Sequence, residues 1–478
     1  MVAQRIITLE QSLAFALLSG DSNPLHVDPI AARRLQFGGC VVHGVNLTLL
    51  MLEEAIRGQS IGTDQQLAEL SIQYDSALRS GEPFEIAVEG SAEGELRVSA
   101  LSAGRTIQRL VARLVARAPT SIAIGMSHPE NQVCEDNTFE QMVHAEGEVP
   151  LTFEPGLARI LFPRISDSLP RAQIAVLLAS TLIVGMRLPG LHSVYASLKL
   201  DFRVAPTWED LRYRVAKADR RFNLITIDLE GGGAVGAISA LVRPQPARQA
   251  DYASLQGRVS RPMFAGRRVF VVGGSRGIGE ATAKIAAAAG GNVTITYAAG
   301  HTDAARIQSE ILAGGGKCTI AALDVLAALP QQLAPAFASG APDDIFYFAS
   351  PTIDVSRHPA WRPQLFQRFV DYYVTAFSNL IDHVISLRAQ GSQGLRVFYP
   401  STVFLDTPPA GSLEYCAAKA AGEVLCRGWA TGRQGIEVVY PRIPRLLTDQ
   451  TAALRSGALQ LPAEYMLSIL ADWRSGSE

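Results

Sequence analysis

Two segments of the chain share one pattern of hydrophobic and polar positions. In the first, an apolar helical run from about Val45 precedes QQLAELSIQYDSALRSGEPFEIAVEG, and two further strand-like stretches end near Ala116. In the second, an apolar run from about Gln173 precedes LHSVYASLKLDFRVAPTWEDLRYRVAK, LITIDLEG and VGAISALVRP. A long helix followed by alternating strands with turn residues between them predicts, in each copy, an antiparallel sheet wrapped around one central helix. The copies share little residue identity, so the order of elements carries the repeat. The stretch APTSIAIGMSHPENQ, from Ala118, reads as their connector. Residues 245–265 are rich in Pro, Gly, Gln and Arg and read as an interdomain linker. Beyond them RRVFVVGG is a buried strand, RGIGEATAKIAAAAG a helix ending in Gly, and NVTITYAAG a second strand, which predicts a parallel α/β sheet.

A chain of 478 residues is too long for one ordinary core. The pattern divides it into a first repeat (1–117), a second repeat (118–244), the linker (245–265) and an α/β domain (266–478). The formal net charge of −2, with no basic block or arm, argues against a nucleic-acid partner. Cys40, Cys134, Cys318, Cys416 and Cys426 stand singly, which argues against a disulfide framework or a zinc site and for a reducing cytoplasm. The N-terminal MVAQRIITLEQSLAF has no basic region followed by an apolar one, so no secretion signal is expected. The most apolar run, Ile174 to Met186, is too short to span a bilayer and ends at Arg187, so a buried core helix is expected and no membrane partner.

The first stretch with candidate chemistry is FALLSGDSNPLHVDP, Phe15 to Pro29. Asp21 and His26 cannot share a helical face at a spacing of five, but Asn23-Pro24 favours a bend that can aim both at one point. A carboxylate and an imidazole at one point can hold and deprotonate one water. His43-Gly44 opens the apolar helix, where free backbone N–H groups and partial positive charge could hold a developing enolate oxygen. The plainer alternative has Asp21 or Ser19 capping a short helix and His26 as a satisfied polar residue.

The residues SGDSNPLHVDP, with FGG at Phe37 to Gly39 and VVHG at Val41 to Gly44, resemble the signature of the MaoC-like R-specific enoyl-CoA hydratases. The resemblance covers residues 1 to about 117 and extends weakly to about 243. It implies the hot-dog fold, a long helix wrapped by an antiparallel sheet. It also implies that Asp21 and His26 activate water across an enoyl thioester double bond, that Asn23 supports the loop, and that the Gly44 N–H helps polarise the thioester carbonyl. The region before the second helix, LARILFPRISDSLPRAQ, lacks Asp-x-x-x-x-His and resembles the non-catalytic half of a double hot-dog. Double hot-dog hydratases carry the motif in the C-terminal half, whereas here it lies in the N-terminal half. Asp167 is either a replacement acid or a solvated loop acid.

In the α/β domain, VVGGSRGIG (Val271 to Gly279) sits between a strand and a helix. Gly273 permits a tight turn, Gly277 and Gly279 allow a phosphate to approach the helix N-terminus, and Ser275, Arg276 and Ile278 complete the loop. Much later, Tyr415 and Lys419 lie at i and i+4 on one helical face. An ammonium near a phenol lowers the tyrosine pKa, and such a tyrosine can give a proton to a ketone oxygen as hydride arrives. The glycine motif and the Tyr415/Lys419 pair together resemble the short-chain dehydrogenase/reductase family over about residues 266 to 450. The resemblance implies a Rossmann fold with a doubly wound parallel sheet, an adenine contact at Asp324, and a substrate-orienting hydroxyl at Thr402, with Ser401 as the neighbouring alternative. Several segments depart from the family: Val272 before the first glycine, IFYFASP at Ile345 to Pro351, Tyr373 in place of an asparagine that relays protons, and YPRIPRLLTDQT in place of a Pro-Gly segment. The second strand ends at Tyr297 with no acid to repel a 2′-phosphate, and Arg276 is placed to pair with one, which favours NADPH with NADH as the alternative.

Together these readings predict an α+β double hot-dog domain followed by an α/β Rossmann domain. The fusion would be a bifunctional enzyme on fatty-acyl or polyketide-type thioesters of CoA or acyl carrier protein, dehydrating R-3-hydroxyacyl groups (or hydrating enoyl groups) and reducing 3-ketoacyl groups. A homodimer is expected by resemblance. Peroxisomal multifunctional enzymes of β-oxidation carry the same two modules in the opposite order. The alternative keeps the hydratase and makes the reductase half a weakly catalytic scaffold that binds nucleotide or carrier protein.

Overall fold

The computed structural model describes residues 4–473 apart from 36, 59–60, 63, 91–94, 118–121, 123, 127–131, 203–206, 260–262, 354–360, 389–393, 434, 452–458 and 472. The connector expected from Ala118 falls largely outside the described residues. The chain divides into two compact units, with the boundary between Gln245 and Pro246.

Among the described residues, the strands of the first unit are β1 (Arg5–Ile6), β2 (Gln65–Tyr74), β3 (Pro83–Gly90), β4 (Glu95–Ser102), β5 (Arg105–Ala116), β6 (Glu146–Pro150), β7 (Ser193–Asp201), β8 (Asp210–Asp219), β9 (Leu224–Gly231) and β10 (Ala234–Val242). They form one sheet in the order β1-β3-β4-β5-β2-β7-β10-β9-β8-β6. Outward from the centre, β2, β5, β4, β3 on one side correspond to β7, β10, β9, β8 on the other, and β2 joins β7 antiparallel from Glu69↔Asp201 to Gln73↔Ser197. Burial alternates along these strands, as at Leu96, Val98 and Ala100 of β4, because successive side chains point to opposite faces.

Each half of the sheet has its long helix, Gly44–Arg57 and Arg171–Leu182. Every residue from Ala172 to Leu182 is buried, so this helix is enclosed on all sides, as its unbroken apolar run requires. Its one long polar side chain, Gln173, is satisfied by the backbone of β2: Leu67 N–H donates to its Oε1 at 3.1 Å, and its Nε2 donates to Leu67 O at 2.7 Å. That contact falls where the β2–β5 register shifts between Leu67 and Glu69. Residues of both helices belong to one hydrophobic core. No helix among the described residues is long and apolar enough to cross a membrane.

In the second unit, β11 (Arg268–Val272), β12 (Asn292–Tyr297), β13 (Lys317–Ala322), β14 (Asp344–Tyr347), β15 (Leu395–Phe398) and, after a short β16 (Ser401–Thr402), β17 (Ile436–Val439) are assigned. All but β16 form a parallel sheet in the order β13-β12-β11-β14-β15-β17. Val269 and Val271 enter one core while Phe270 and Val272 enter another, so both faces of the sheet are covered. The strand order reverses between β11 and β14, which opens a crevice at their carboxyl ends.

Described residues after the boundary pack onto the second unit. Tyr252, Leu255 and Phe264 are buried in the core of the second unit. Tyr252 N–H donates to Glu310 Oε1 at 2.5 Å, Gln256 Nε2 to Gly314 O at 2.8 Å, and Lys284 Nζ to Ala250 O at 3.1 Å. Composition alone suggested a linker because the few apolar anchors are spaced among polar residues, and only packing shows what they bury.

Candidate active sites

The first site is set by local chain chemistry. Thr8 and Gln11 form a capping box at the start of the helix Leu9–Ser19, and Gly20 ends it at φ 75° with its N–H on Ala16 O at 2.8 Å. Asp21 follows at once. Asn23 caps the next short turn, Pro24–Val27, its Oδ1 accepting Leu25 N–H at 3.0 Å, and this turn carries His26. The cap is therefore Asn23, which leaves the Asp21 carboxylate for other partners. Asn23 Nδ2 donates to Gly185 O at 2.8 Å and to Gly190 O at 3.0 Å, tying the loop to the second half of the unit.

Asp21, His26 and His43 meet, with their potential ligand atoms all within 4.8 Å of one another. Asp21 is 1% exposed; its Oδ1 accepts Asn23 N–H at 3.2 Å and its Oδ2 accepts the Thr181 hydroxyl at 2.7 Å. His43 Nε2 donates to Asp21 O at 2.9 Å, and its ring stacks on His26 with centroids 3.9 Å apart. His26 Nδ1 donates to Val41 O at 2.7 Å, which leaves Nε2 as the acceptor nitrogen. These bonds commit one nitrogen of each imidazole to backbone, an arrangement suited to proton transfer.

Burial pushes the Asp21 carboxyl above the usual aspartate range, opposed by His26, Thr181 and the Asn23 N–H. Burial pushes His26 below the usual histidine value, opposed by Asp21 and Val41. The two shifts run in opposite directions, each group moving toward its partner's proton affinity. Burial, with His26 alongside, holds His43 well below the usual value and hence neutral.

The half without the motif supplies part of this site. Thr181 comes from its long helix. Gly185 lies so close to Asp21 that a Cβ there would sit 2.1 Å from Oδ1. Thr181 and Gly185 were not legible as site residues; the available signal was an isolated glycine inside an apolar helical run. Gly44 is the first residue of the helix Gly44–Arg57, and its N–H is one of those a helix leaves without an intrahelical acceptor. A Cβ on Gly44 would meet the Tyr74 ring at 2.5 Å. Asp167 is exposed and pairs with Arg159 at 2.9 Å.

In the second unit the glycine loop lies between β11 and the helix Gly277–Ala288. Gly273 has φ 73°, and a Cβ there would sit 3.0 Å from the Phe348 backbone. A Cβ on Gly279 would sit 2.3 Å from Gly273 O, so the loop folds tightly onto the helix start. Ser275 is buried, and Ile278 packs against the core. The Arg276 guanidinium lies 3.8 Å from the Asp449 carboxylate, which also accepts Ala247 N–H at 3.2 Å. Asp449 belongs to the segment that departs from the family, so the expected phosphate partner already faces an acid. Asp324, exposed after β13, accepts Leu326 N–H at 3.0 Å.

Tyr415 hydrogen-bonds Thr402. Ser401 instead donates to Glu423, which also holds Arg442, so the hydroxyl beside Tyr415 is that of Thr402. The expected lowering of the Tyr415 pKa is not what the structure gives: burial pushes Tyr415 up to about 12, opposed by its hydrogen bond with Thr402. Lys419 donates to Pro400 O at 2.6 Å and lies over the Tyr373 ring (4.0 Å) and the Tyr399 ring (4.7 Å). Burial pulls it down to about 7. Tyr373, itself buried, shares a 2.6 Å hydrogen bond with Ser350. A ring stands where a smaller amide was expected, and it engages the ammonium.

Residues 2–59 match the model of the MaoC like domain, and residues 267–457 match that of the short chain dehydrogenase. The chain thus joins a MaoC-like domain at its N-terminus to a short-chain dehydrogenase domain at its C-terminus. No curated protein matches the chain. Among solved structures it is similar to a dehydrogenase/reductase from Sinorhizobium meliloti 1021 (24% identity, 47% of this chain, 92% of that chain, TM-score 0.40). It is also similar to a short chain dehydrogenase from Shigella flexneri (23%, 44% and 87%, TM-score 0.39) and to FolM alternative dihydrofolate reductase 1 from Brucella suis in complex with NADP (19%, 37% and 71%, TM-score 0.34).

Proposed function

We propose that the chain is a bifunctional acyl-thioester enzyme: an R-specific 3-hydroxyacyl dehydratase/enoyl hydratase joined to an NADPH-dependent 3-ketoacyl reductase. The substrates are thioesters of CoA or acyl carrier protein, and the working form is a homodimer. The first unit is read as a double hot-dog, with a catalytic repeat at 1–117 and a degenerate one at 118–244. The second is read as a doubly wound Rossmann domain from 266. The observation that carries the hydratase reading is the buried meeting of Asp21, His26 and His43, held by Asn23, Thr181 and Gly185.

In hydration, a water held between Asp21 and His26 Nε2 gives up a proton to the pair while its oxygen bonds to C3 of the enoyl group. The π electrons move toward the thioester oxygen, where the Gly44 N–H receives the charge, and a proton returned to C2 completes the addition. Dehydration is the reverse. The tight loop from Gly273 to Gly279, opening a twelve-residue helix, suits a dinucleotide phosphate. The reduced nicotinamide supplies a hydride when bound. Thr402 orients the ketone, and Tyr415 gives its proton to the ketone oxygen. The test is to mix the full chain with a trans-2-enoyl thioester and, separately, with NADPH and a 3-ketoacyl thioester; the loss of enoyl absorbance and of NADPH fluorescence are the expected signals. Absence of the first would remove the hydratase reading.

A second reading, a scaffold with weak reductase turnover, is favoured by the engagement of Lys419 with Pro400 O and the Tyr373 ring. Binding of NADPH without turnover would select it.

A further inference from the structure

Arg243 follows β10 and is 2% exposed. Its backbone N–H donates to His192 O at 2.8 Å and its Nη2 donates to Leu191 O, which leaves Nε and Nη1 buried without an acceptor. Among the described residues no carboxylate is paired with it, and burial lowers its pKa to about 10, so it stays charged at neutral pH. A buried charge with open donors is costly to maintain for packing alone. Leu191 and His192 continue the loop that holds the Asp21–His26 site. Gly190 O accepts Asn23 Nδ2, Gly185 lies against the Asp21 carboxylate, and Gly185 O also accepts Cys134 Sγ at 3.1 Å. The Arg243 charge acts on His26 of the site, on His192 of this loop, and on Cys134, whose thiol is bonded to Gly185 O.

We propose that Arg243 is a substrate-binding residue of the Asp21–His26 site, where its open guanidinium N–H groups receive an anionic oxygen of the acyl thioester. The inference rests on the hydratase reading above. Two sources would present such an oxygen: the thioester oxygen as charge develops during addition, or a carboxylate carried on the acyl group. Hydrogen bonds to charged groups are strong enough that losing one should lower kcat/KM by about 10- to 100-fold.

The test compares the full-length wild type with Arg243→Met and Arg243→Lys on two substrates, a neutral trans-2-enoyl thioester and one bearing a terminal carboxylate. The expected result is that Arg243→Met loses kcat/KM while its melting temperature holds or rises, since a buried unpaired charge has been removed, and that Arg243→Lys recovers part of the rate. A loss on both substrates assigns the developing thioester charge, and a loss confined to the second assigns the carboxylate. Wild-type kinetics in Arg243→Met overturn the proposal. So does a variant that fails to fold, or that loses rate and melting temperature together with no recovery in Arg243→Lys, because either marks a packing role. A wild-type protein that hydrates neither substrate overturns the hydratase reading itself.

Discussion

At both the Asp21–His26 site and the Tyr415–Lys419 site one member is buried and its partner half-buried, and burial is the leading influence on the proton affinity of all four groups. The outcomes differ. At the first site each of the pair is the other's strongest counterweight to burial, and both are anchored to backbone by hydrogen bonds. At the second the lysine spends its bonds on Pro400 and two aromatic rings, while the tyrosine is hydrogen-bonded to Thr402. Two motifs with correct spacing can therefore stand at different stages of assembly. Spacing brings residues to one face, but neighbours decide whether they act as a pair.

The largest expected effect tests the assembled site. Asp21→Asn and His26→Ala should each lower enoyl-thioester hydration by about 10²–10⁴-fold with NADPH binding unchanged. Rates near wild type in either would place the acid-base pair elsewhere. In Tyr415→Phe the ring and its packing remain, so folding and NADPH binding should persist while 3-ketoacyl reduction falls by about 10²–10³-fold. Reduction at the wild-type rate would mean that the proton comes from another group.

Gly185→Ala sharpens the comparison, because it touches no reacting atom. Its Cβ must displace the Asp21 carboxylate, and a shift of about 1 Å should cost about 10²-fold in hydration. The reductase of the same variant serves as the internal control. Arg276→Ala should narrow a preference for NADPH over NADH by about tenfold or less, since Asp449 already faces the guanidinium. Titration of both cofactors against both proteins measures it, and equal wild-type affinities would remove the preference.

The smallest effect is on pH. Lys419 titrates near 7 in the folded state against 10.5 unfolded, so the unfolded chain binds the extra proton between those values and stability rises with pH across that window. Melting temperature should therefore rise between pH 7 and 8.5 more steeply in wild type than in Lys419→Met. His26 and His43 are held neutral, with folded values below 6.5, so their contribution is present above 6.5 and lost as pH falls below it. His43→Gln should weaken that acid-side loss.

Much of this was legible in the residues. Motif and context singled out Asp21 and His26, which the fold brings together, and the glycine loop between a strand and a helix, because turn, cap and loop chemistry depends on neighbours within a few positions. What Tyr252, Leu255 and Phe264 bury was not legible, because it depends on a core built from distant segments. The choice of Thr402 over Ser401 was open until Glu423 was seen to hold Ser401.

The sequence by itself determined the order of elements, the two kinds of sheet and the residue types at each site, since periodicity, capping and glycine placement act over short stretches of chain. Which groups meet at each site depended on the tertiary structure. Thr181 and Gly185 reach the first site from a half without the motif, and Tyr373 holds Lys419 from a segment more than forty residues upstream. Proton affinity depends on burial and on charges within a few ångströms, and no local pattern records which distant residues supply them.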